Sequence, residues 1–142
     1  MKIAIGCDHA GYPLKVAVED KLLKEGYGIM DVGTESTESV DYPIYGKSVG
    51  RAVASGLADR GIVICGSGIG ISIAANKVKG VRCALCTSVE MAEMSRRHND
   101  ANVLAMGARM IEQDLAFEIV DKWLATDFEG GKHLRRINML DE

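Results

Sequence analysis

The chain predicts an α/β fold, one domain built on a doubly wound five-stranded parallel sheet with helices on both faces. Apolar, strand-like runs alternate with helix-spaced segments from end to end, the pattern of parallel strands covered on both sides. Its 142 residues suit a single domain, which at this size buries roughly two thirds of its unfolded surface.

The first strand is read at Lys2 to Gly6. Leu14, Val18 and Leu22 follow at helical spacing, with Pro13 near the start and Gly26 where a helix would stop. Gly28 to Val32 is the second strand. The polar run Gly33 to Ser39 is a loop, and Ile44, Val49, Ala52 and Val53 mark the next helix. Strand three is Ile62 to Cys65, strand four Val81 to Cys86 and strand five Asn102 to Met106, with helices at Ile71 to Lys77, Ser88 to Arg97 and Glu112 to Ala125. The tail, about 126–142, is basic from Lys132 to Arg136, and Gly130-Gly131 lets it turn towards this chain's site or a neighbour's. No internal repeat or linker interrupts the pattern.

A formal charge of −3 argues against a nucleic-acid partner, which calls for a basic stripe. The apolar run Ile3-Ala4-Ile5 is too short for a signal peptide. Nowhere do eighteen apolar residues run unbroken, so no membrane is expected and the location read is cytoplasmic. The four cysteines are expected to be reduced. Cys83 and Cys86 have C-x-x-C spacing, but on a strand residues three apart face opposite ways, which favours packing over zinc or redox pairing.

The most informative segment is Cys65-Gly66-Ser67-Gly68-Ile69-Gly70, placed where strand three gives way to a helix. Its glycines allow a sharp turn with N–H groups exposed, and the helix adds a positive dipole end, so the segment suits an anion. A thiol there should ionise more readily than a free one. The alternative is a tight turn with an inert thiol. The run is not a dinucleotide fingerprint, because it reads G-x-G-x-G after the third strand and position 86 is Cys rather than an acid. Gly46-Lys47-Ser48 is not a phosphate loop, since Asp41 stands where its first glycine belongs.

Ligands in such sheets gather beyond the carboxyl ends of the strands. Strand one delivers Asp8 and His9 there, strand three Cys65 and its loop, and strand five Arg109. Each has a plainer reading. Asp8 could cap the next helix, His98-Asn99 could end one, Tyr42 could pack before Pro43, and the tail's cations could be solvated charge.

Taken together, Gly6-Cys7-Asp8-His9-Ala10-Gly11, Asp41-Tyr42-Pro43, the stretch from Cys65 to Lys77, Arg97-His98-Asn99-Asp100-Ala101-Asn102, Gly107-Ala108-Arg109 and Glu129-Gly130-Gly131-Lys132-His133 resemble the type B ribose-5-phosphate isomerases. That family also includes galactose-6-phosphate isomerase subunits. The resemblance spans nearly the whole chain, in order.

It implies an aldose–ketose isomerase interconverting D-ribose 5-phosphate and D-ribulose 5-phosphate, as in pentose phosphate metabolism, with no metal or organic cofactor. Cys65 would be the base. In some relatives a glutamate just beyond the loop serves instead, but the matching residue here is Ile71. Gly66, Gly68, Ile69 and Gly70 would offer N–H groups to the developing oxyanion, with the Ser67 hydroxyl and the Asn99 amide. His98 would open the sugar ring, Asp8 would hold sugar hydroxyls and Tyr42 would orient the substrate. His9, Arg109, Lys132 and Arg136 would grip the phosphate. Sites shared between subunits imply a homodimer, or a tetramer of two dimers. Ser67 stands where many relatives have Thr, and Lys132 where many have Arg, which leaves sugar selectivity open. The alternatives are a six-carbon substrate, galactose or allose 6-phosphate, and a non-catalytic sugar-phosphate sensor.

Overall fold

The computed structural model describes all 142 residues. Its elements run β1 (Lys2–Cys7), α1 (Tyr12–Lys24), β2 (Gly28–Gly33), α2 (Tyr42–Ala54), β3 (Arg60–Cys65), α3 (Ile69–Asn76), β4 (Cys83–Leu85), α4 (Val89–Asn99), β5 (Val103–Gly107), α5 (Gln113–Ala125) and α6 (Lys132–Leu140). The five strands form one parallel sheet in the order β2-β1-β3-β5-β4.

Alternation along the strands fills two cores. Ile3, Ile5, Ile62, Ile64, Leu104 and Met106 face Val18 and Leu22 of α1, Ala92 of α4 and Ile119 and Trp123 of α5. Ala4, Val63, Cys65, Val103 and Ala105 face Val49 and Ala52 of α2 and Ile71 and Ala75 of α3. Both faces are thus apolar, the condition for an all-parallel sheet. Trp123 is fully buried. The Arg60 guanidinium lies 5.3 Å from its ring centroid, Arg60 Nη1 donates to its carbonyl at 3.1 Å, and its indole Nε1 has no hydrogen-bond partner.

The predicted class holds, with three local corrections. β4 is Cys83–Leu85 rather than 81–86. Its approach is taken up by side chains, as Asn102 Oδ1 accepts from Arg82 N–H at 2.8 Å and Asn76 Oδ1 accepts from Cys83 N–H at 2.8 Å. α2 already contains Tyr42, because Pro43 sits in its first turn, where a missing N–H has no consequence. The tail forms a helix, α6, anchored by buried Ile137. Cys83 and Cys86 do lie on opposite faces of the sheet, as the strand spacing required.

Beneath the β2–α2 loop, Lys15 is 1% exposed and makes a buried polar knot. Its Nζ donates to Asp31 Oδ1 at 2.7 Å, to Asp31 Oδ2 at 2.8 Å and to the Thr34 carbonyl at 2.6 Å. Glu19 Oε1 is buried nearby with no donor facing it.

Candidate active site

The order in which strands are added reverses between β1 and β3, since β2 lies on one side of β1 and β3 on the other. A crevice forms at such a point. Asp8, His9, Cys65 and the glycine loop all leave their strands there.

The loop is fixed by its backbone. Gly68 has φ +80, and a Cβ on it would come within 2.8 Å of Met106 C and 2.9 Å of Gly107 N. A left-handed turn against a neighbouring strand therefore demands glycine. The turn carries Gly68 N–H onto Cys65 Sγ at 3.2 Å. The other thiols differ. Cys7 Sγ donates to the Thr34 carbonyl at 3.9 Å and Cys86 Sγ donates to the Ala84 carbonyl at 3.8 Å. Burial pushes the Cys7 and Cys86 thiols up to about 11, and Cys83 upward as well. Cys65 alone has a sulfur that accepts a backbone N–H.

The amides divide differently from the sequence expectation. Gly68 N–H serves the sulfur, and Ile69 N–H donates to Ser67 Oγ at 3.1 Å. The N–H groups of Gly66, Ser67, Gly70 and Ile71 have no partner within the chain. Gly66, Ser67 and Gly70 are partly exposed, so their N–H groups are open to an anion, whereas Ile71 is fully buried. Accepting from Ile69 leaves the Ser67 hydroxyl hydrogen free to donate outward. Ile71 is fully buried in the α2–α3 core and carries no group that could take a proton.

Around this loop stand the other upper-edge residues. Arg109 is exposed, donates its N–H to the Gly66 carbonyl at 3.0 Å, and lays its guanidinium over Gly66, where a Cβ would be 3.1 Å from Nη1. Tyr42 packs its ring on Gly70, where a Cβ would be 2.7 Å from Cε1. Asp8 is 7% exposed, and its Oδ1 accepts from Gly11 N–H at 3.1 Å, so it does close the turn before α1 while its second oxygen stays free. His9 Nδ1 accepts from Val40 N–H at 3.1 Å, which puts the neutral ring's proton on Nε2.

The structure does not bring His98, Asn99, Lys132 and Arg136 to this edge. α4 starts above β4 and ends just before β5, so His98 and Asn99 lie at the opposite end of the sheet from Cys65. Arg82 Nε donates to the Asn99 carbonyl at 3.0 Å, and buried Arg96 ties Asp100 and Ala101 to the tail through the Thr126 carbonyl. A groove of about 700 Å³ is also at that end, lined by Asn76, Lys79, Arg82, Cys83, Asn99 and Leu140 among others. Lys132 and Arg136 are exposed on α6.

Sequence reasoning missed Glu129 and His133 as neighbours of His98. The His98 and His133 rings stack with centroids 4.4 Å apart, and Arg97 Nε donates to Glu129 Oε2 at 2.6 Å. Glu129 precedes α6, and the turn at Gly130 and Gly131, both with positive φ, brings it back beside His133, which no helical spacing signals.

Fold and crevice define an α/β protein with an anion-ready, thiol-bearing edge at its switch point. The chain belongs to the ribose/galactose isomerase family, whose model matches residues 3–140. Over 139 residues it is 49% identical to ribose-5-phosphate isomerase B of Escherichia coli, covering 98% of this chain and 93% of that protein. The solved structure of Clostridium thermocellum ribose-5-phosphate isomerase B superposes with a TM-score of 0.99 at 57% identity, covering 99% of this chain and 95% of that one. The galactose-6-phosphate isomerase subunit LacB of Clostridium acetobutylicum is 39% identical over 137 residues, covering 96% of this chain and 79% of that protein. No helix is long and apolar enough to cross a membrane.

Proposed function

We propose that this chain isomerises D-ribose 5-phosphate and D-ribulose 5-phosphate by proton transfer through Cys65. The single observation that carries the mechanism is the Gly68 N–H held on Cys65 Sγ at 3.2 Å, set beside the similarity to ribose-5-phosphate isomerases of two organisms. The Cys65 thiolate takes the proton from C2 of the open aldose. It returns that proton to C1 of the enediolate while the O2 hydroxyl proton passes to O1, so one base serves both carbon-bound proton transfers. The free amides of Gly66, Ser67 and Gly70, with the Ser67 hydroxyl, stabilise the enediolate oxygen. His9 and Arg109 hold the phosphate, Tyr42 orients the sugar, and Asp8 accepts from its hydroxyls through its free oxygen.

The reading includes a homodimer whose sites are shared, with His98 opening the sugar ring and Asn99, Lys132 and Arg136 supplied by a second copy. Two features support it. Ile69 and Ile73, one turn apart on α3, are each 54% exposed, beside Tyr42 at 41%. α3 begins at the glycine loop and ends at Asn76, which shares the lower groove with Asn99. Pairing two copies of α3 antiparallel therefore sets the lower end of one chain against the Cys65 edge of the other. The proposal places the enzyme in the cytoplasm, where a reducing environment preserves the four unpaired thiols.

An assay of ribose, galactose and allose phosphates, with solvent exchange of the sugar C2 hydrogen as a second readout, tests the reading. The expected result is exchange and turnover fastest with ribose 5-phosphate and abolished by Cys65→Ala with substrate binding retained. Faster turnover of a six-carbon phosphate would reassign the substrate, and no exchange at all would make the chain a sensor.

A further inference from the structure

Two imidazoles and a carboxylate converge at the lower end of the sheet. His98 Nε2 lies 4.0 Å and His133 Nε2 3.5 Å from Glu129 Oε1. All three donor atoms fall within 4.8 Å of one another. These separations are too long for good hydrogen bonds. The 3.5 Å pair matches what one small cation imposes, because bonds of about 2.0–2.2 Å in a tetrahedral array set ligands about 3.3–3.6 Å apart, and the His98 nitrogen at 4.0 Å has to close in slightly to join it. The carboxylate is already oriented for it. Arg97 Nε holds Glu129 Oε2 at 2.6 Å, and Glu129 N–H donates to the Arg97 carbonyl at 3.1 Å, which leaves Oε1 turned to the imidazoles. A partner gripping the non-ligating side of a ligand is the usual support of a metal site.

We infer that His98, Glu129 and His133 form an inhibitory site for a zinc-class divalent cation. Two imidazoles and one carboxylate with a fourth position open to solvent suit Zn²⁺. Lys132 and Arg136, exposed on the same helix, oppose a cation, which makes this a site for a reversible inhibitor and not for a resident cofactor. The inhibitory consequence rests on the isomerase reading. A His98 nitrogen bound to metal cannot open a sugar ring, so the ion and the sugar phosphate exclude each other. The binding itself does not depend on that reading.

Calorimetric titration of the full chain with Zn²⁺ tests the site directly, and Co²⁺ gives a spectroscopic check. The expected result is one ion per chain, with binding lost in Glu129→Gln and in His133→Phe, which keeps the stack on His98 but removes the ligand nitrogen. Arg97→Gln should weaken binding about tenfold. Cys65→Ser should leave it intact, and the Co²⁺ form should lack thiolate charge-transfer absorption. Zn²⁺ should inhibit the native isomerase competitively and not the His133→Phe variant. Zn²⁺ affinity unchanged in His133→Phe, or lost in Cys65→Ser, overturns the site. Tight binding without inhibition of an active isomerase overturns its inhibitory role, and absence of any isomerase activity sinks the catalytic reading while the titration still decides the site.

Discussion

Gly68 donates its backbone N–H to the sulfur of Cys65, three residues earlier, across 3.2 Å. The contact depends on Gly68 keeping φ +80 against the backbone of Met106 and Gly107. Gly68→Ala should therefore lose about 2–4 kcal/mol, from the strained φ plus overpacking, and should displace the donor. Denaturant unfolding checks the first effect, and the alkylation rate of Cys65 against native chain checks the second. Unchanged stability with unchanged reactivity would remove the claim that this turn activates the thiol.

The separation of Cys65 from His98 across the sheet gives a subunit-mixing test. Cys65→Ala and His98→Asn variants should each be inactive alone. Mixed, dissociated and reassociated, they should recover roughly a quarter of native activity, since half the dimers are hybrid and each hybrid holds one intact site. No recovery from correctly sized hybrids would mean that each chain completes its own site.

Lys15 at 1% exposure neutralises Asp31 and satisfies the Thr34 carbonyl. Lys15→Met leaves a partly buried carboxylate and a carbonyl without their donor. We expect a loss of about 3–5 kcal/mol in denaturant unfolding, the usual result of removing one partner from a buried pair. A double variant, Lys15→Met with Asp31→Leu, should recover much of that loss.

Glu19 sits beside this knot. Burial, then its interaction with the Asp31 carboxyl, raises its pKa from 4.5 to about 7. Burial opposes ionisation of Asp31 too, but hydrogen bonds from Glu19, Lys15 and Gly33 N–H prevail and hold its pKa below the ordinary value. The unfolded Glu19 releases its proton first as pH rises. Its contribution is therefore whole below pH about 4.5 and is lost as pH climbs to about 7, so stability should fall across that window. Asp31 acts oppositely, with stability present above its unfolded pKa and lost at more acid pH. Glu19→Gln should flatten the slope between pH 4.5 and 7 in pH-dependent denaturation, and an unaltered slope would place the effect elsewhere.

Much of the fold was written in local pattern. Ile62-Val63-Ile64 can only be a strand buried on both faces, and Leu14, Val18 and Leu22 can only be one side of a helix. Strand order was not legible, because nothing local tells β4 to take the edge and β5 the place beside β3. α6 escaped because its apolar anchor is the single buried Ile137 among charged neighbours, behind two glycines. In the site, the cysteine and its glycines were visible as spacing. Which amides are free was not, since that depends on Gly68 turning to the sulfur and Ile69 to Ser67. The distance between Cys65 and His98 was likewise invisible, being a property of where α4 ends.

Trp123 is the chain's one tryptophan, sealed in the layer of α1, α4 and α5 with its indole nitrogen unbonded. Its fluorescence is thus a native, one-sided gauge. Emission should be blue-shifted while that layer is dry and should redden only when α5 lifts from the sheet. Events confined to α2, α3 or the glycine loop would pass unseen by it, so a melt followed by this indole and one followed by thiol labelling at Cys65 would clock the two sides of the same sheet separately.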